Sequence, residues 1–392
     1  MTLLRLLTHS ANQEFRHRVL SLTAGGTLKP RFLDRGIEVQ SLDWSPGRPT
    51  PAGLWRLARM VRSQPPDLLL GWMYHANLAA SFCRRWACPG VPLVWNIRHT
   101  PDDLAREKRL TAAVIRSGAR FSKTVTAVVY NSRVSQRMHG ALGYGGLRSE
   151  VLPNGIDLEA FRPAPEARQE FRRELGLPED SFLLGRVARF DTMKGYPQLI
   201  RAVGGLLGGA SSGAPGTATP SSGVLAAKKR SSLHLVLAGR GVEVGQGSLE
   251  AEIEAAGLKG RVHLLGERSD VPHLLAALDG FCSSSLFGEG FPNVVAEAMA
   301  CGVPCVVTDV GDSARVVGTE GWVVPPGQVP ALTAALGELL DKPEEERQRM
   351  GAGGRRRIAD NFAAATVIPR HRDLWLRCLQ GPSREMAPES CS

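Results

Sequence analysis

Ser285 to Gly311 reads SLFGEGFPNVVAEAMACGVPCVVTDVG, and the interpretation of this stretch decides the fold. Gly288 and Gly290 free the backbone to approach a ligand closely. Pro292 suits a first helical turn, and Asn293 to Ala300 is helix-compatible until Gly302 stops it. Amides at a helix start have no partner within the helix and can receive a diphosphate. Val303 to Thr308 is then apolar on both faces, which predicts a strand buried between helix layers. Loop, helix and buried strand in succession describe an α/β unit with an anionic, nucleotide-linked ligand. Glu289 sits in the loop and Glu297 about two helical turns further on. Either carboxylate alone reads as a solvated residue; together they bracket one helix end.

About a hundred residues earlier, Leu183 to Lys194, LLGRVARFDTMK, predicts a buried strand that delivers Arg189 and Lys194 into a turn, followed by Gly195 and a helical run. Fixed cations aimed at a departing anion stabilise it by several kcal/mol each in a site sheltered from water. Leu233 to Arg240 and Arg261 to Asp270 predict two more parallel strands, each ending in a glycine-containing turn.

In the first half, strand candidates Arg18 to Thr23, Glu38 to Leu42, Asp67 to Gly71, Pro92 to Ile97 and Ala127 to Tyr130 alternate with helical stretches such as Ala52 to Ser63 and Ala76 to Trp86. That alternation predicts a second parallel sheet. The turn within Val151 to Pro163, VLPNGIDLEAFRP, marks the join. The expected organisation is a first domain over 1–157, a second over 158–362, a terminal helix over 363–380 that returns to the first domain, and a disordered tail over 381–392. Gly204 to Ser232, rich in Gly, Ser, Ala, Pro and Thr and carrying Lys228, Lys229 and Arg230, cannot bury enough apolar surface to offset its ordering and is expected to be a disordered insertion.

A chain of 392 residues suits two α/β domains, and 43% hydrophobic with 22% charged residues describes a globular soluble protein. No apolar run of membrane-spanning length and no signal-peptide pattern occurs. Seven cysteines are an odd number, and Cys282, Cys301 and Cys305 lie in apolar segments, so a reducing, cytoplasmic compartment and no zinc site are expected. The net charge of +10 fits an anionic substrate or lipid, and no aromatic-studded basic motif points to nucleic acid. Gly53 to Arg62 places Trp55, Leu57, Met60 and Val61 among Arg56, Arg59 and Arg62, a helix able to rest on an anionic membrane or to pack on its own sheet. The pattern speaks against a nicotinamide dehydrogenase, since no G-x-G-x-x-G follows a first strand with an acidic residue about twenty positions on.

The loop carrying Glu289 and Glu297 resembles the signature of the family-4 retaining glycosyltransferases (glycosyl transferases group 1). The resemblance is to their bacterial polysaccharide and lipopolysaccharide branch. It implies an α/β GT-B architecture, with two Rossmann-like doubly wound domains facing across a cleft. On the donor side, it implies that Glu289 holds the donor sugar and Glu297 the ribose. Gly288, Gly290, Phe291, Pro292 and Asn293 would contact sugar and diphosphate, Pro292 through atoms other than an N–H. Thr308, Asp309 and Gly311 would end the strand at the ligand-binding edge. Arg189 and Lys194 match the family's pair that neutralises the leaving diphosphate, and Glu267, Arg268 and Asp270 lie where the nucleobase is placed.

WMYHANL (72–78) and WNIRHT (95–100) resemble the acceptor-side motifs of that branch. By that resemblance His99 stands beside the reacting sugar. His75, Asn77, Asn96 and Arg98 line the pocket, with Asn131 and Ser132 as lesser members.

The implied activity is retaining transfer of a sugar from a UDP- or GDP-linked nucleotide-sugar donor to a glycan or lipid-linked acceptor in cell-surface polysaccharide biosynthesis. It would use no metal and no other cofactor, and would run in the cytoplasm or at the inner face of the cytoplasmic membrane. Two alternatives stay open, a sugar-nucleotide 2-epimerase on the same scaffold and a non-catalytic nucleotide-sugar binder. Members of the family open with a strand and a glycine-rich turn, whereas this chain opens at LLRLL. The resemblance therefore implies a missing central strand, with two sheet edges left unpaired.

Overall fold

The computed structural model describes residues 2–24, 26–45, 50–105, 107–208 and 230–381. The chain forms two compact units, Met1–Gly155 with Ala365–Ser392, and Ile156–Ala364. The division falls inside the Pro-Asn-Gly-Ile-Asp turn, and the helix Ala364–Leu379 belongs almost wholly to the first unit. Among the described residues no helix is long and apolar enough to cross a membrane.

In the first unit all strands are parallel but they form two sheets. β1 (Arg18–Ser21) pairs with β2 (Glu38–Ser41), while β3 (Leu69–Trp72), β4 (Leu93–Ile97), β5 (Ala127–Tyr130) and β6 (Arg148–Val151) form a four-stranded sheet in sequence order. Among the described residues no strand bridges β1 to β3, in line with the two unpaired sheet edges expected from the sequence. Leu20 of β1 and Leu69 of β3 nevertheless pack on one core cluster containing Leu57, Val61 and Cys83. Sequence periodicity missed β6 because RSEV carries charges. It is an edge strand, half-buried, and Glu150 on it accepts from Arg377 of the terminal helix at 2.7 Å.

Leu57 and Val61 are 4% and 2% exposed, so the apolar stripe of the helix Pro51–Ser63 faces the core. Of the residues expected to meet a membrane, only Trp55 and the arginines stand outside.

The second unit holds a six-stranded parallel sheet. Its strands are β7 (Phe182–Val187), β8 (Leu233–Ala238), β9 (Val262–Leu264), β10 (Gly280–Ser283), β11 (Cys305–Thr308) and β12 (Gly321–Val324), in the order β12-β11-β10-β7-β8-β9. The interior strands are mostly apolar because helices cover both faces, Arg186 of β7 being the charged exception. Winding reverses between β7 and β10, and open α/β sheets bind ligands at the carboxyl ends flanking such a reversal. At the opposite end of β7, the buried carboxylate of Asp279 accepts from Arg172 at 2.5 Å, from the Leu183 amide at 2.7 Å and from Arg168. That cluster fastens the sheet and lies away from the ligand edge.

The expected insertion is shorter at its start: Gly204 to Gly208 complete the helix Tyr196–Gly208, with Leu206 buried in the core. Residues 209–229, with Lys228 and Lys229, and the tail residues 382–392 lie outside the described residues.

Candidate functional site

The reversal point brings together two segments read separately in the sequence. After β7 the chain makes a short turn, Thr192–Lys194, which Asp191 caps by accepting from the Met193 amide at 3.1 Å. Gly195 follows at φ +63°, where a Cβ would run into the carbonyl of Ser284. The turn and the segment after β10 therefore lie against each other, and the Leu286 amide donates to the Met193 carbonyl at 2.8 Å.

Across this seam Lys194 Nζ donates to Glu289 Oε1 at 2.6 Å, and Ser285 Oγ donates to the same oxygen at 2.7 Å. Both members of the ion pair are about one-sixth exposed, at 17% and 16%. Burial is the largest single influence on Glu289 and works upward. The charge and hydrogen bond of Lys194, the Ser285 hydroxyl and the charge of Arg186 together outweigh it, so the carboxyl titrates below its ordinary range. Glu289 is thus an anion at neutral pH, with a cation already in contact.

Arg186 escaped sequence reading, although an arginine inside a buried strand must find partners. It is 2% exposed and donates to the Lys194 carbonyl at 2.6 Å, the Cys282 carbonyl at 3.2 Å and Ser285 Oγ at 3.2 Å. Its guanidinium also lies 5.4 Å from the centre of the Tyr196 ring. Arg186 therefore braces both segments from beneath, and Ser285 links it to Glu289.

Arg189 is more than half exposed and pairs with Asp191 at 3.2 Å. Its Nη2 reaches Met193 Sδ at 3.5 Å, and the Met193 methyl stands where a Cβ on Gly288 would be. Arg189 is thus beside the glycine loop, its exposed guanidinium held by Asp191 and Met193. Gly290 accepts from the Asp312 amide at 3.0 Å, and Gly311, at φ +62°, lies so close that a Cβ there would be 2.5 Å from the Glu289 carbonyl. A side chain at 311 would push the loop out of place. Pro292 precedes the helix Asn293–Ala300 and gives it no side-chain cap, and Glu297 lies half-buried on that helix.

Three expected donor residues have other work. The Phe291 ring is buried 5.5 Å from that of Phe362, so only its backbone is left for a ligand. Thr308 is 3% exposed and its hydroxyl donates to the Ser285 carbonyl at 2.6 Å, supporting the loop from below. Arg268 is held by Glu174 at 2.5 Å and Asp270 at 2.6 Å, over the Phe171 ring, and is not joined to the Lys194 and Glu289 cluster.

In the first unit the candidates gather at the carboxyl ends of β3 and β4. Met73, just after β3, has φ +73°, a strained value for a residue with a side chain and one that clusters at functional sites. Arg98 lies 4.7 Å over the Trp72 ring and donates to Asn154 Oδ1 at 2.7 Å, the Leu152 carbonyl at 3.2 Å and Asn96 Oδ1 at 3.2 Å. Burial pulls its pKa down to about 9.

Asn77 and Asn96 are buried, and Asn77 Nδ2 donates to the Asn96 carbonyl, so both mainly join β4 to its neighbours. Ser132 caps the helix Arg133–Ala141, and Asn131 reaches the Arg98 carbonyl. His75 is exposed. His99 is about one-third exposed and its Nε2 lies 2.7 Å from Glu107 Oε1, a partner that sequence reading had not named.

Residues 167–357 match the model of Glycosyl transferases group 1, and residues 1–160 that of Glycosyltransferase Family 4. An Escherichia coli UDP-Gal:alpha-D-GlcNAc-diphosphoundecaprenol alpha-1,3-galactosyltransferase is 27% identical over 59% of this chain and 54% of its own length. The lipopolysaccharide core biosynthesis mannosyltransferase LpsB of Rhizobium meliloti is 29% identical over 56% of this chain and 58% of its own. The chain thus spans little more than half of these curated relatives. Anabaena HepE, solved in complex with UDP and glucose, matches the fold with a TM-score of 0.77 at 21% identity, over 96% of this chain and 95% of its own. The glycine loop, the Lys194 and Glu289 pair and the whole six-stranded sheet fall within the group 1 match, the first unit's sheets within the other, and the chain belongs to the glycosyltransferase family that these two domains define.

Proposed function

We propose that the protein transfers a sugar from a UDP- or GDP-linked donor to a glycan or lipid-linked acceptor in cell-surface polysaccharide biosynthesis, with retention at the anomeric carbon. The observation that carries this reading is the Lys194 to Glu289 contact beneath the glycine loop at the sheet's reversal point. Departure of a nucleoside diphosphate develops charge that Lys194 and Arg189 neutralise, aided by the start of the helix Asn293–Ala300. Glu289 accepts from sugar hydroxyls, and Glu297 is assigned the ribose. His99 contributes from the first unit, beside the reacting sugar. The attacking hydroxyl approaches on the face the diphosphate leaves, since no carboxylate is assigned as a covalent nucleophile.

In this reading the two cations do the work otherwise given to a metal. Incubation with UDP- and GDP-sugars and a lipid-linked acceptor, followed by NMR of the product anomer, tests the reaction. A product of inverted configuration, or loss of turnover on adding a chelator, would contradict it.

We place the enzyme at the surface of an anionic membrane, in the cytoplasm. Three helices packed side by side, Pro51–Ser63, Tyr74–Trp86 and Arg109–Ser122, hold eight arginines and no acidic residue. Trp55 and Trp86 stand exposed on this face, 55% and 46%, with ring centres 6.2 Å apart. Paired indoles among arginines suit the interface of an anionic bilayer. Flotation should recover the protein with anionic vesicles and not with zwitterionic ones, and Trp55→Ala with Trp86→Ala should weaken binding severalfold. Absence of binding to anionic vesicles would remove this assignment.

A further inference from the structure

His99 follows β4 and is held from three directions. Ser135 Oγ donates to its main-chain carbonyl at 2.8 Å, the Tyr74 ring meets its imidazole edge-on at 6.2 Å, and Glu107 Oε1 lies 2.7 Å from Nε2. The first two supports are themselves fixed. His139 donates from Nδ1 to the Ser135 carbonyl at 2.8 Å, which leaves its Nε2 to accept from the Tyr74 hydroxyl at 2.9 Å. Backbone and ring position are thus set by a buried network, and the rotation of the ring by Glu107.

A carboxylate can only accept a hydrogen bond, so the hydrogen between these groups belongs to His99 Nε2. In the neutral ring Nδ1 then keeps its lone pair. Nδ1 has no partner among the described residues, and the side chain is 32% exposed, so a substrate can reach it.

We propose that Glu107 is a positioning residue that holds His99 in the Nε2–H tautomer, so that Nδ1 accepts the hydrogen of a substrate hydroxyl. A lone pair at that point favours an O–H group over an anionic oxygen, so the nitrogen is matched to a sugar and not to a phosphate. This deepens, and rests on, the placing of His99 beside the reacting sugar.

The test uses the full chain labelled with 15N in its histidines, with His99→Asn to assign the signal. In the wild type His99 should carry its hydrogen on Nε2. Glu107→Ala should give a mixture of tautomers, with turnover falling about tenfold to a hundredfold and the donor KM little changed. Glu107→Gln retains an acceptor oxygen and should restore most of both, and it replaces the alanine variant should that fail to fold. A wild-type ring protonated on Nδ1 alone, or a Glu107→Ala tautomer shift without loss of turnover, would overturn the proposal. A fully active His99→Asn would instead remove the part given to His99 in catalysis, and the wild-type spectrum would still decide the tautomer.

Discussion

Lys194→Ala and Glu289→Ala will each lower turnover at least about a hundredfold, equivalent to roughly 2.7 kcal/mol of lost transition-state stabilisation. The two losses arise differently. Lys194→Ala removes a charge aimed at the leaving group and frees Glu289 in a site about five-sixths buried. Repulsion between that carboxylate and the incoming diphosphate then adds to the loss. Glu289→Ala removes the acceptor for sugar hydroxyls and releases Lys194 and Ser285 from their shared oxygen.

Because the two side chains touch, their effects will not add, and the double variant should cost little more than the worse single one. Neither change should unfold the second unit, since Arg186 and the Leu286 to Met193 bond hold the two segments independently. Steady-state rates alongside thermal melts check this. Wild-type turnover in both variants would defeat the placing of the donor at this loop.

Acidification will destabilise the first unit between roughly pH 6.5 and pH 4, the window set by His139. Its imidazole is wholly enclosed, and burial, followed by the nearby His99, pulls its pKa down to about 4 from 6.5 despite the helpful Ser135 carbonyl. His371 is likewise buried and pushed well below its ordinary value, by desolvation first and then by Arg98 and Arg370.

In this window both histidines bind protons in the unfolded chain and not in the folded one. Stability is therefore lost as pH falls, by about 1.4 kcal/mol per pH unit for each histidine and about 2.7 for the two together. Against a typical stability of roughly 5–15 kcal/mol this is a large slope. Urea unfolding across the window should show it, and His139→Gln should remove about half. A midpoint that does not move across the window would show that neither histidine is buried in its neutral form.

Much of the site was legible because its local chemistry is strict. The helix Asn293–Ala300 coincides with the span read from Pro292 and Gly302, since a proline can open a helix and a glycine close one whatever surrounds them. β5 also coincides with its expected span because AVVY is fit only for a strand buried on both faces. β6 was lost because an edge strand need not be apolar. Arg186 and Arg189 are three positions apart in one quoted segment, yet one is buried and the other more than half exposed. Composition could not rank them.

By itself the sequence determined the alternation of strands and helices, the glycine loop feeding a helix, and the family, because these depend on backbone preferences and residue types within a few positions. Tertiary structure alone decided the site's membership. Parallel pairing of β7 with β10 brings Lys194 to Glu289 and Arg186 to Ser285 across more than ninety residues, while Arg268 is drawn off to Glu174 and Thr308 is turned under the loop. A side chain's partner is set by which strand becomes its neighbour, and that is a property of the whole sheet.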